Sequence, residues 1–198
     1  MSSVVLASAS PRRLGLLESE GWSVISRPPA IDDGLLGVDV ESPWSLVTAL
    51  AWFKAAQVGP PGGEAFVTVA ADTVCVVGGR VLGKPRDRDH AESMLRSMIG
   101  RSHYTYSGVC ILDRLGNRWL FGDRAEVTIE NVSLTEIDLY LQSREWTGKA
   151  GGYNLADRQA AGWPIACHGD PTTVMGLPLR RLVPFLRTIE SEAGHDHG

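Results

Sequence analysis

The chain has 198 residues, of which 43% are hydrophobic and 21% are charged, a composition typical of a globular protein with one large domain or two lobes. Its formal net charge of −4 provides no general basic surface for nucleic acid, and no apolar run is long enough for a membrane-spanning helix. The start of the sequence lacks the pattern of a signal peptide. The three cysteines, Cys75, Cys110 and Cys167, form no C-x-x-C pattern, and their odd number argues against a disulfide framework, so we expect reduced thiols in a cytoplasmic protein.

The first third of the sequence predicts alternating strands and helices. Apolar runs indicate strands at residues 4–7 and 23–27. Ser10 followed by Pro11 is a typical start for a helix, which we place at residues 11–20. Ser42 and Pro43 start a second helix, with apolar positions at helical spacing: Leu46, Val47, Leu50 and Phe53.

The rest of the sequence predicts a sheet in which several strands are joined by hairpins. Gly78 and Gly79 suit a two-residue turn after a strand at residues 65–71, and Ser133 with Glu136 matches a capping box. Further strands are expected at residues 104–112, 119–129 and 165–167, and further helices at 87–99, 133–143 and after Pro178, where Pro184 should kink or restart the helix. Interleaved strands and helices with hairpins predict a mixed sheet.

The stretch LASASPRR (residues 6–13) is the first candidate for chemistry. Arg12 and Arg13 fall in the first turn of a helix, where the dipole disfavours cations. A bound polyphosphate would make this placement favourable, because free N–H groups, the hydroxyls of Ser8 and Ser10, and the arginines all suit an anion. The alternative is an ordinary cap with solvated arginines, and residues 176–181, Gly-Leu-Pro-Leu-Arg-Arg, repeat the pattern.

Asp72 is the second candidate, because it follows a run of apolar and small residues, as catalytic carboxylates at strand ends do. A charged Asp there is costly unless it faces a cleft, a metal or a cation. The alternative is an Asx-turn leading into the hairpin. Residues 78–84 match the Walker A spacing, but Pro85 replaces the required Ser or Thr and disfavours a helix, so we reject a P-loop and keep Lys84 as a phosphate contact.

Asp32 and Asp33 form the third candidate, since adjacent carboxylates in a loop suit a hard divalent cation, although a solvated acidic turn is the alternative. Lys54 on the second helix has the pattern of a surface lysine. For Lys149, which lies among glycines, the sequence likewise does not distinguish a surface lysine from a functional one. The histidines His90, His103 and His168 show no metal-ligand spacing and are interpreted as structural.

Taken together, the motifs resemble the Maf family over nearly the whole chain. They occur in the family's order: LASASPRR, LAWFKAA, AADTVCVVGGRVLGKP, SGV, TGKAGGY and VMGLP. The resemblance implies a nucleoside triphosphate pyrophosphatase of the dTTP/UTP branch that needs Mg²⁺ or Mn²⁺, cleaves between the α and β phosphates and cleans the nucleotide pool. It also implies an elongated α/β fold with a mixed sheet and flanking helices in two lobes around a central cleft, like that of ITPases, usually as a homodimer. We expect one such domain at residues 1–190 and a disordered tail at 191–198.

The resemblance also implies roles for individual residues. Asp72 corresponds to the catalytic carboxylate and, with Asp33, to a metal ligand. The residues corresponding to the family's phosphate contacts are Ser8, Ser10, Arg12, Arg13, Lys54 and Lys84. Arg12 and Thr73 match specificity positions, and the Thr in the ADT motif resembles the dTTP/UTP branch rather than the branch acting on 7-methyl-GTP.

The sequence departs from the family at two positions. Asp33 replaces a glutamate, which shortens a metal-binding arm by one methylene. Ala156 stands where the family has a base-contacting glutamine, so discrimination between bases should weaken. Gln159 is nearby, but the sequence does not indicate that it substitutes.

The resulting hypothesis is that Arg12, Arg13, Lys54 and Lys84 clamp a triphosphate while Asp72 accepts a proton from water attacking the α-phosphorus. Such catalysis depends chiefly on positioning and charge neutralisation. The alternative is a nucleotide-binding regulator of cell division and septum formation that does not hydrolyse its ligand. Neither reading implies a nucleic-acid or membrane partner.

Overall fold

The computed structural model describes residues 2–30 and 42–195, where strands and helices alternate along the chain. The described strands are β1 (Ser3–Leu6), β2 (Ser23–Ser26), β3 (Ala65–Val77), β4 (Arg80–Leu82), β5 (Arg101–Asp113), β6 (Arg118–Ile129) and β7 (Ile165–His168). The described helices are α1 (Pro11–Ser19), α2 (Pro43–Val58), α3 (Arg88–Met98), α4 (Leu134–Ser143), α5 (Leu155–Ala160), α6 (Pro171–Val174) and α7 (Leu179–His195), with a 3-10 turn at Ala150–Gly152. None of these helices is both apolar enough and long enough to cross a bilayer.

The strands form one sheet of mixed direction, as the sequence predicts. Their order is β2-β1-β3-β5-β6-β7, and β4 pairs with the end of β3. Strand β1 runs parallel to both β2 and β3, whereas β3, β5, β6 and β7 pair antiparallel. Hairpin turns join the antiparallel pairs β3–β4 and β5–β6, whereas helices lie in the connections between β3 and β5 and between β6 and β7. The parallel pairs require the helical crossovers α1 and α2.

The two largest of the four hydrophobic clusters among the described residues define two lobes that share the long strands. The first core joins β1, α1 and α7 to the start of β3, and includes Leu6, Leu17, Val69, Leu182 and Leu186. The second core joins α3, α4 and α5 to the end of β3, and includes Cys75, Leu95, Met98, Leu141 and Trp163. The expected fold, an α/β structure with a mixed sheet and two lobes, is therefore confirmed.

Local signals in the sequence account for most element boundaries. Ser10, Ser42 and Ser133 are the N-caps of α1, α2 and α4, and the last forms a complete capping box with Glu136. Gly78 and Gly79 have φ values of 53° and 76°, as a primed hairpin turn requires. Helix α7 continues through Pro184 to His195, into the segment that the sequence predicts to be a disordered tail.

The cysteines and one histidine belong to the cores. Cys75 and Cys110 are buried and Cys167 is half-buried, all as free thiols. Burial raises the pKa of Cys75 and of Cys110 to about 11, so both thiols are protonated at neutral pH. His103 is buried with its Nε2 atom 2.8 Å from the hydroxyl of Tyr153, which agrees with a structural role.

The expectation that Asp72 ends a strand is wrong, because β3 continues without a break into the hairpin. Asp72 is the eighth of the thirteen residues of this strand. One edge of β3 pairs with β1 up to Val69 and with β4 from Cys75 onwards. Between these contacts, at residues 70–74, no described strand covers that edge, so Asp72 lies at a gap in the sheet.

Candidate active site

A cleft of about 760 Å³ opens at this gap between the two lobes. Eight residues singled out from the sequence line it: Ser8, Ser10, Arg12, Arg13, Lys54, Asp72, Thr73 and Lys84. Ala156 is exposed and does not line the cleft. Asp32 and Asp33 lie outside the described residues.

The start of α1 forms one wall of the cleft. Ser10 caps the helix by accepting a long hydrogen bond of 3.5 Å from the Arg13 N–H, and Pro11 occupies the first helical position. The hydroxyl of Ser8 accepts from the Ser10 N–H at 3.1 Å. No acidic residue lies in the first turn, so the positive end of the helix dipole faces the cleft without a carboxylate of its own helix.

Arg13 is fixed by three side-chain contacts. Its Nε donates to the carbonyl of Gly176 at 2.8 Å, and its Nη2 donates to Thr73 Oγ1 at 3.1 Å. Its Nη1 lies 3.4 Å from the hydroxyl of Ser8. These contacts tie α1 to β3 and to the turn before α7, and they hold the guanidinium plane at the cleft wall.

Arg12 is half-buried and also lines the cleft. Burial lowers the pKa of Arg12, and the charge of Asp157 on α5 acts in the opposite direction, as does Tyr140 to a smaller extent. Asp157 itself forms an ion pair with Lys149 at 2.9 Å. Arg12 from one lobe and the Asp157–Lys149 pair from the other therefore line the same cleft.

A buried ion pair occupies the floor of the cleft. Lys54 Nζ lies 2.5 Å from Asp72 Oδ1, and each residue is only 8% exposed. Removing one partner of such a pair leaves an uncompensated buried charge, whereas the pair together tolerates burial. The interpretation of Lys54 as a surface lysine is wrong, because α2 buries a face formed by Val47, Ala51, Lys54 and Ala55 rather than the one centred on Leu50 and Phe53.

The second lobe contributes the TGKAGGYN segment to the opposite wall. Gly151 has a φ of 68°, and a Cβ at this position would lie 2.8 Å from the Cys75 sulfur, so the close approach requires glycine. Asn154 lines the cleft and caps α5 by accepting from the Ala156 N–H. Gln159 is exposed and its amide is directed to the Ile165 carbonyl at 3.4 Å, so it does not replace the missing glutamine.

The described lining of the cleft is strongly cationic. It contains five cations (Arg12, Arg13, Lys54, Lys84 and Lys149) and two carboxylates (Asp72 and Asp157), which gives a local charge of +3. Lys84 is exposed at the rim, directly before Pro85. A cleft of this charge beside a helix N-terminus is suited to a polyanion such as a polyphosphate.

The chemistry of the lining also fits a hard divalent cation. No group of three or more His, Cys, Asp or Glu residues within residues 2–30 and 42–195 forms a metal cage. Mg²⁺ bound with a nucleotide needs only one or two protein carboxylates, because phosphates and water supply the other oxygens. Asp72 offers such a carboxylate inside the cleft.

Some residues of the site are not evident from the sequence. Ser107 is fully buried in β5 and contacts Thr73, although the motifs mark only the SGV segment that contains it. A hydroxyl directly before the run of small and apolar residues at 108–112 is the signal that could have indicated it. The carbonyl of Gly176 and the carboxylate of Asp157 give no such signal, because their positions depend on how distant segments pack.

The fold and the cleft thus define a mixed α/β protein with a cationic cleft between two lobes. The family model described as Maf-like protein matches residues 3–189. The chain belongs to the Maf family.

Curated relatives match over nearly the full length. The dTTP/UTP pyrophosphatase of Rhodopirellula baltica is 37% identical over 96% of this chain and 84% of its own length. The dTTP/UTP pyrophosphatase of Pelotomaculum thermopropionicum is 38% identical over 94% of this chain and 96% of its own length. A solved structure, the nucleoside-triphosphatase / dITP/XTP pyrophosphatase of Mycobacterium abscessus, aligns at 16% identity over 66% of this chain and 75% of that chain, with a TM-score of 0.40.

Proposed function

We propose that the protein hydrolyses dTTP and UTP to the nucleoside monophosphate and pyrophosphate. The observation that carries this proposal is the buried Lys54–Asp72 pair on the floor of a cationic cleft, beside the N-terminus of α1. The names of the full-length relatives, dTTP/UTP pyrophosphatase, support the reaction and the substrate class. Removal of such nucleotides would serve to clean the nucleotide pool.

The phosphate chain lies against the start of α1 in this proposal. The hydroxyls of Ser8 and Ser10 and the first-turn N–H groups contact phosphate oxygens, and Arg12 and Arg13 bind them with planar guanidinium groups. Lys84 approaches from the rim as a point charge. Their summed charge offsets the negative charge of the triphosphate in a cleft that the second lobe partly shields from water.

Asp72 acts as the general base. Its carboxylate accepts a proton from the water that attacks the α-phosphorus, and Lys54, at 2.5 Å, holds the carboxylate in one orientation. Pyrophosphate leaves from the opposite side of the phosphorus. Because phosphoryl transfer depends on positioning and charge neutralisation, the geometry of these few groups is what the protein has to supply.

A divalent cation, Mg²⁺ or Mn²⁺, completes the proposed site. Asp72 would hold it, together with Asp33, the ligand predicted from the sequence. When bound, such an ion neutralises charge on the phosphates and orients them.

The base is the least constrained part of the substrate. Ala156 cannot donate or accept a side-chain hydrogen bond, and Asn154 and Asp157 are the described polar residues of α5 and its cap that line the cleft. We therefore propose weaker discrimination among bases than a glutamine at position 156 would give.

The test is to incubate the purified protein with dTTP, UTP, CTP, GTP and 7-methyl-GTP and Mg²⁺ or Mn²⁺, and to separate the products. We expect monophosphate and pyrophosphate, fastest from dTTP and UTP, and no reaction after chelation of the metal. Asp72→Asn should lower kcat at least about a hundredfold, as loss of a general base does. The control Asp89→Asn, on the exposed start of α3, should change kcat less than twofold.

Diphosphate and orthophosphate as products would contradict the proposed reaction. Tight binding of a nucleotide without turnover under any metal would instead favour the regulatory alternative. Assembly as a homodimer and location in the cytoplasm stay predictions from the family resemblance and the composition, and light scattering on the purified protein measures the first.

A further inference from the structure

A buried hydroxyl, Ser107, is linked to Arg13 through one intermediate side chain. Arg13 Nη2 lies 3.1 Å from Thr73 Oγ1, which lies 2.7 Å from Ser107 Oγ. Ser107 Oγ in turn lies 2.8 Å from the carbonyl oxygen of Thr173 in α6. Ser107 and Thr173 are both fully buried, so the hydrogen bond between them does not compete with bulk water.

The chain of hydrogen bonds closes into a ring. The N–H of Gly176 donates to the same Thr173 carbonyl at 3.1 Å. The carbonyl of Gly176 accepts from Arg13 Nε at 2.8 Å. One turn of backbone, from Thr173 to Gly176, therefore holds two different nitrogens of Arg13, one directly and one through Ser107 and Thr73.

The direction of every proton in the ring is fixed by chemistry. A carbonyl only accepts, so Ser107 must donate its single hydroxyl proton to Thr173. Thr73 must then donate to Ser107, which leaves a lone pair of Thr73 Oγ1 for Arg13, a group that only donates. Ser107 thus orients the Thr73 hydroxyl, and Thr73 orients the guanidinium.

The surroundings leave this ring little freedom. The hydroxyl of Thr173 donates to Asp123 Oδ2 on β6 at 2.5 Å, which anchors α6 to the sheet. Gly176 has a φ of 105°, and a Cβ at this position would lie 3.1 Å from Arg13 Nε. The close approach of Arg13 to this turn therefore depends on glycine.

We propose that Ser107 is a positioning residue, which through Thr73 fixes the guanidinium plane of Arg13 for contact with the triphosphate. This inference rests on the proposed function, since it assigns Arg13 to the substrate phosphates. It also gives Thr73 a role in holding Arg13 from the side of the sheet.

The first test removes each hydroxyl in turn. Ser107→Ala and Thr73→Val should each lower kcat/KM for UTP about tenfold, the effect of misplacing one charge-assisted hydrogen bond. Thr73→Ser keeps the hydroxyl and should stay within about threefold of wild type. Thr68→Val is the matched control on the same strand, because its fully buried hydroxyl has no hydrogen-bond partner among the described residues, and its loss should leave kcat/KM unchanged.

A double-mutant cycle separates positioning from a general structural effect. In an Arg13→Ala background there is no guanidinium to orient, so adding Ser107→Ala should cause less than a twofold further loss. A further tenfold loss there would overturn the proposal, and so would wild-type kcat/KM in the single variant Ser107→Ala.

A third measurement does not depend on turnover. The Arg13 Nη2–H resonances, assigned by their disappearance in Arg13→Ala, report the contact with Thr73. Their exchange with water should be at least tenfold faster in Ser107→Ala than in wild type, and unchanged in Thr68→Val. Unchanged exchange in Ser107→Ala would overturn the proposal. If the wild-type protein hydrolyses no nucleotide, the proposed function fails while this measurement still tests the ring.

Discussion

Two of the described helices, α1 and α7, have a proline at or directly before their first residue and a pair of arginines in their first turn, and the two pairs have different surroundings. In α1, Arg12 and Arg13 line the cleft and the first turn contains no acidic residue. In α7, Arg180 and Arg181 are exposed. The first N–H groups of α7 are satisfied internally, by Thr172 Oγ1 at 2.8 Å from the Leu179 nitrogen and by Asp170 Oδ2 at 3.0 Å from the Arg180 nitrogen.

The same pattern of residues at a helix start therefore does not determine where the helix finds its negative charge. The carboxylate of Asp170 supplies α7 with the negative charge that its dipole favours, and Arg181 bonds to the Gly122 carbonyl and lies over the Phe121 ring. Helix α1 has only the long Ser10 cap, and its positive end faces the cleft. In our account the negative charge at α1 comes from the substrate.

Removing one arginine from each pair gives the largest contrast. Arg13→Ala should lower kcat/KM for UTP roughly 10²–10³-fold, because a preorganised donor to the phosphates is lost. Arg181→Ala, at the matching position of α7, should stay within twofold of wild type. Equal losses in the two variants, measured by pyrophosphate release, would break the distinction between the helices.

Binding of the product separates the two helix starts without catalysis. Pyrophosphate at a hundred times its dissociation constant should stabilise the wild-type protein by about 2.7 kcal/mol. The double variant Arg180→Ala/Arg181→Ala should show the same stabilisation, and Arg12→Ala/Arg13→Ala should lose most of it. Thermal unfolding with and without pyrophosphate measures this, and a shift retained without Arg12 and Arg13 would count against the proposed site.

For stability the order should be reversed: the side chain at the start of α7 should contribute more to the free energy of unfolding than the one at the start of α1. Asp170→Ala should lower the free energy of unfolding by about 2 kcal/mol, because a buried carboxylate that accepts three hydrogen bonds is lost. Ser10→Ala should lower it by only about 0.5 kcal/mol, because its cap hydrogen bond is 3.5 Å long. Urea denaturation of both variants measures the difference, and a larger cost for Ser10→Ala would reverse our reading of the two helices.

Acidification should have the smallest effect. The loss of stability that it causes should not depend on the arginines of either helix. Burial lowers the pKa of His103 to about 4 in the folded protein, below its ordinary 6.5. The unfolded chain therefore binds more protons below pH 6.5, and the free energy of unfolding should fall by about 1 kcal/mol between pH 7 and pH 5.5. This loss should persist in Arg13→Ala and Arg181→Ala.

The variant His103→Gln isolates that effect, because it keeps a polar group near the Tyr153 hydroxyl but does not titrate. Its free energy of unfolding, measured by urea denaturation at the two pH values, should fall by about 1 kcal/mol less than that of the wild type. An identical fall in wild type and variant would assign the pH dependence to other groups.

Local signals in the sequence determine much of the fold. The caps at Ser10 and Ser133 and the turn at Gly78 and Gly79 fix backbone geometry within a few residues, so the sequence predicts them well. The position of Asp72 inside β3 is not predictable in this way. It depends on where β1 and β4 stop along the strand, and this is a property of three separate segments.

The members of the site are predictable from the sequence, but their connections are not. The family motifs indicate Arg13, Lys54 and Asp72, and the structure brings these residues to one cleft. A search for large apolar residues at helical spacing does not predict the burial of Lys54, because small residues such as Ala51 and Ala55 form the inner face of α2. Contacts such as Arg13 with the Gly176 carbonyl join residues 163 positions apart, which no local pattern reveals.

In the proposed reaction, the cleft directs water to the α-phosphorus of a nucleoside triphosphate. The most direct measurement is hydrolysis of UTP in ¹⁸O-labelled water, followed by mass spectrometry of both products. Our account predicts one labelled oxygen in the uridine monophosphate and none in the pyrophosphate. Label in the pyrophosphate, or the release of labelled orthophosphate, would contradict it.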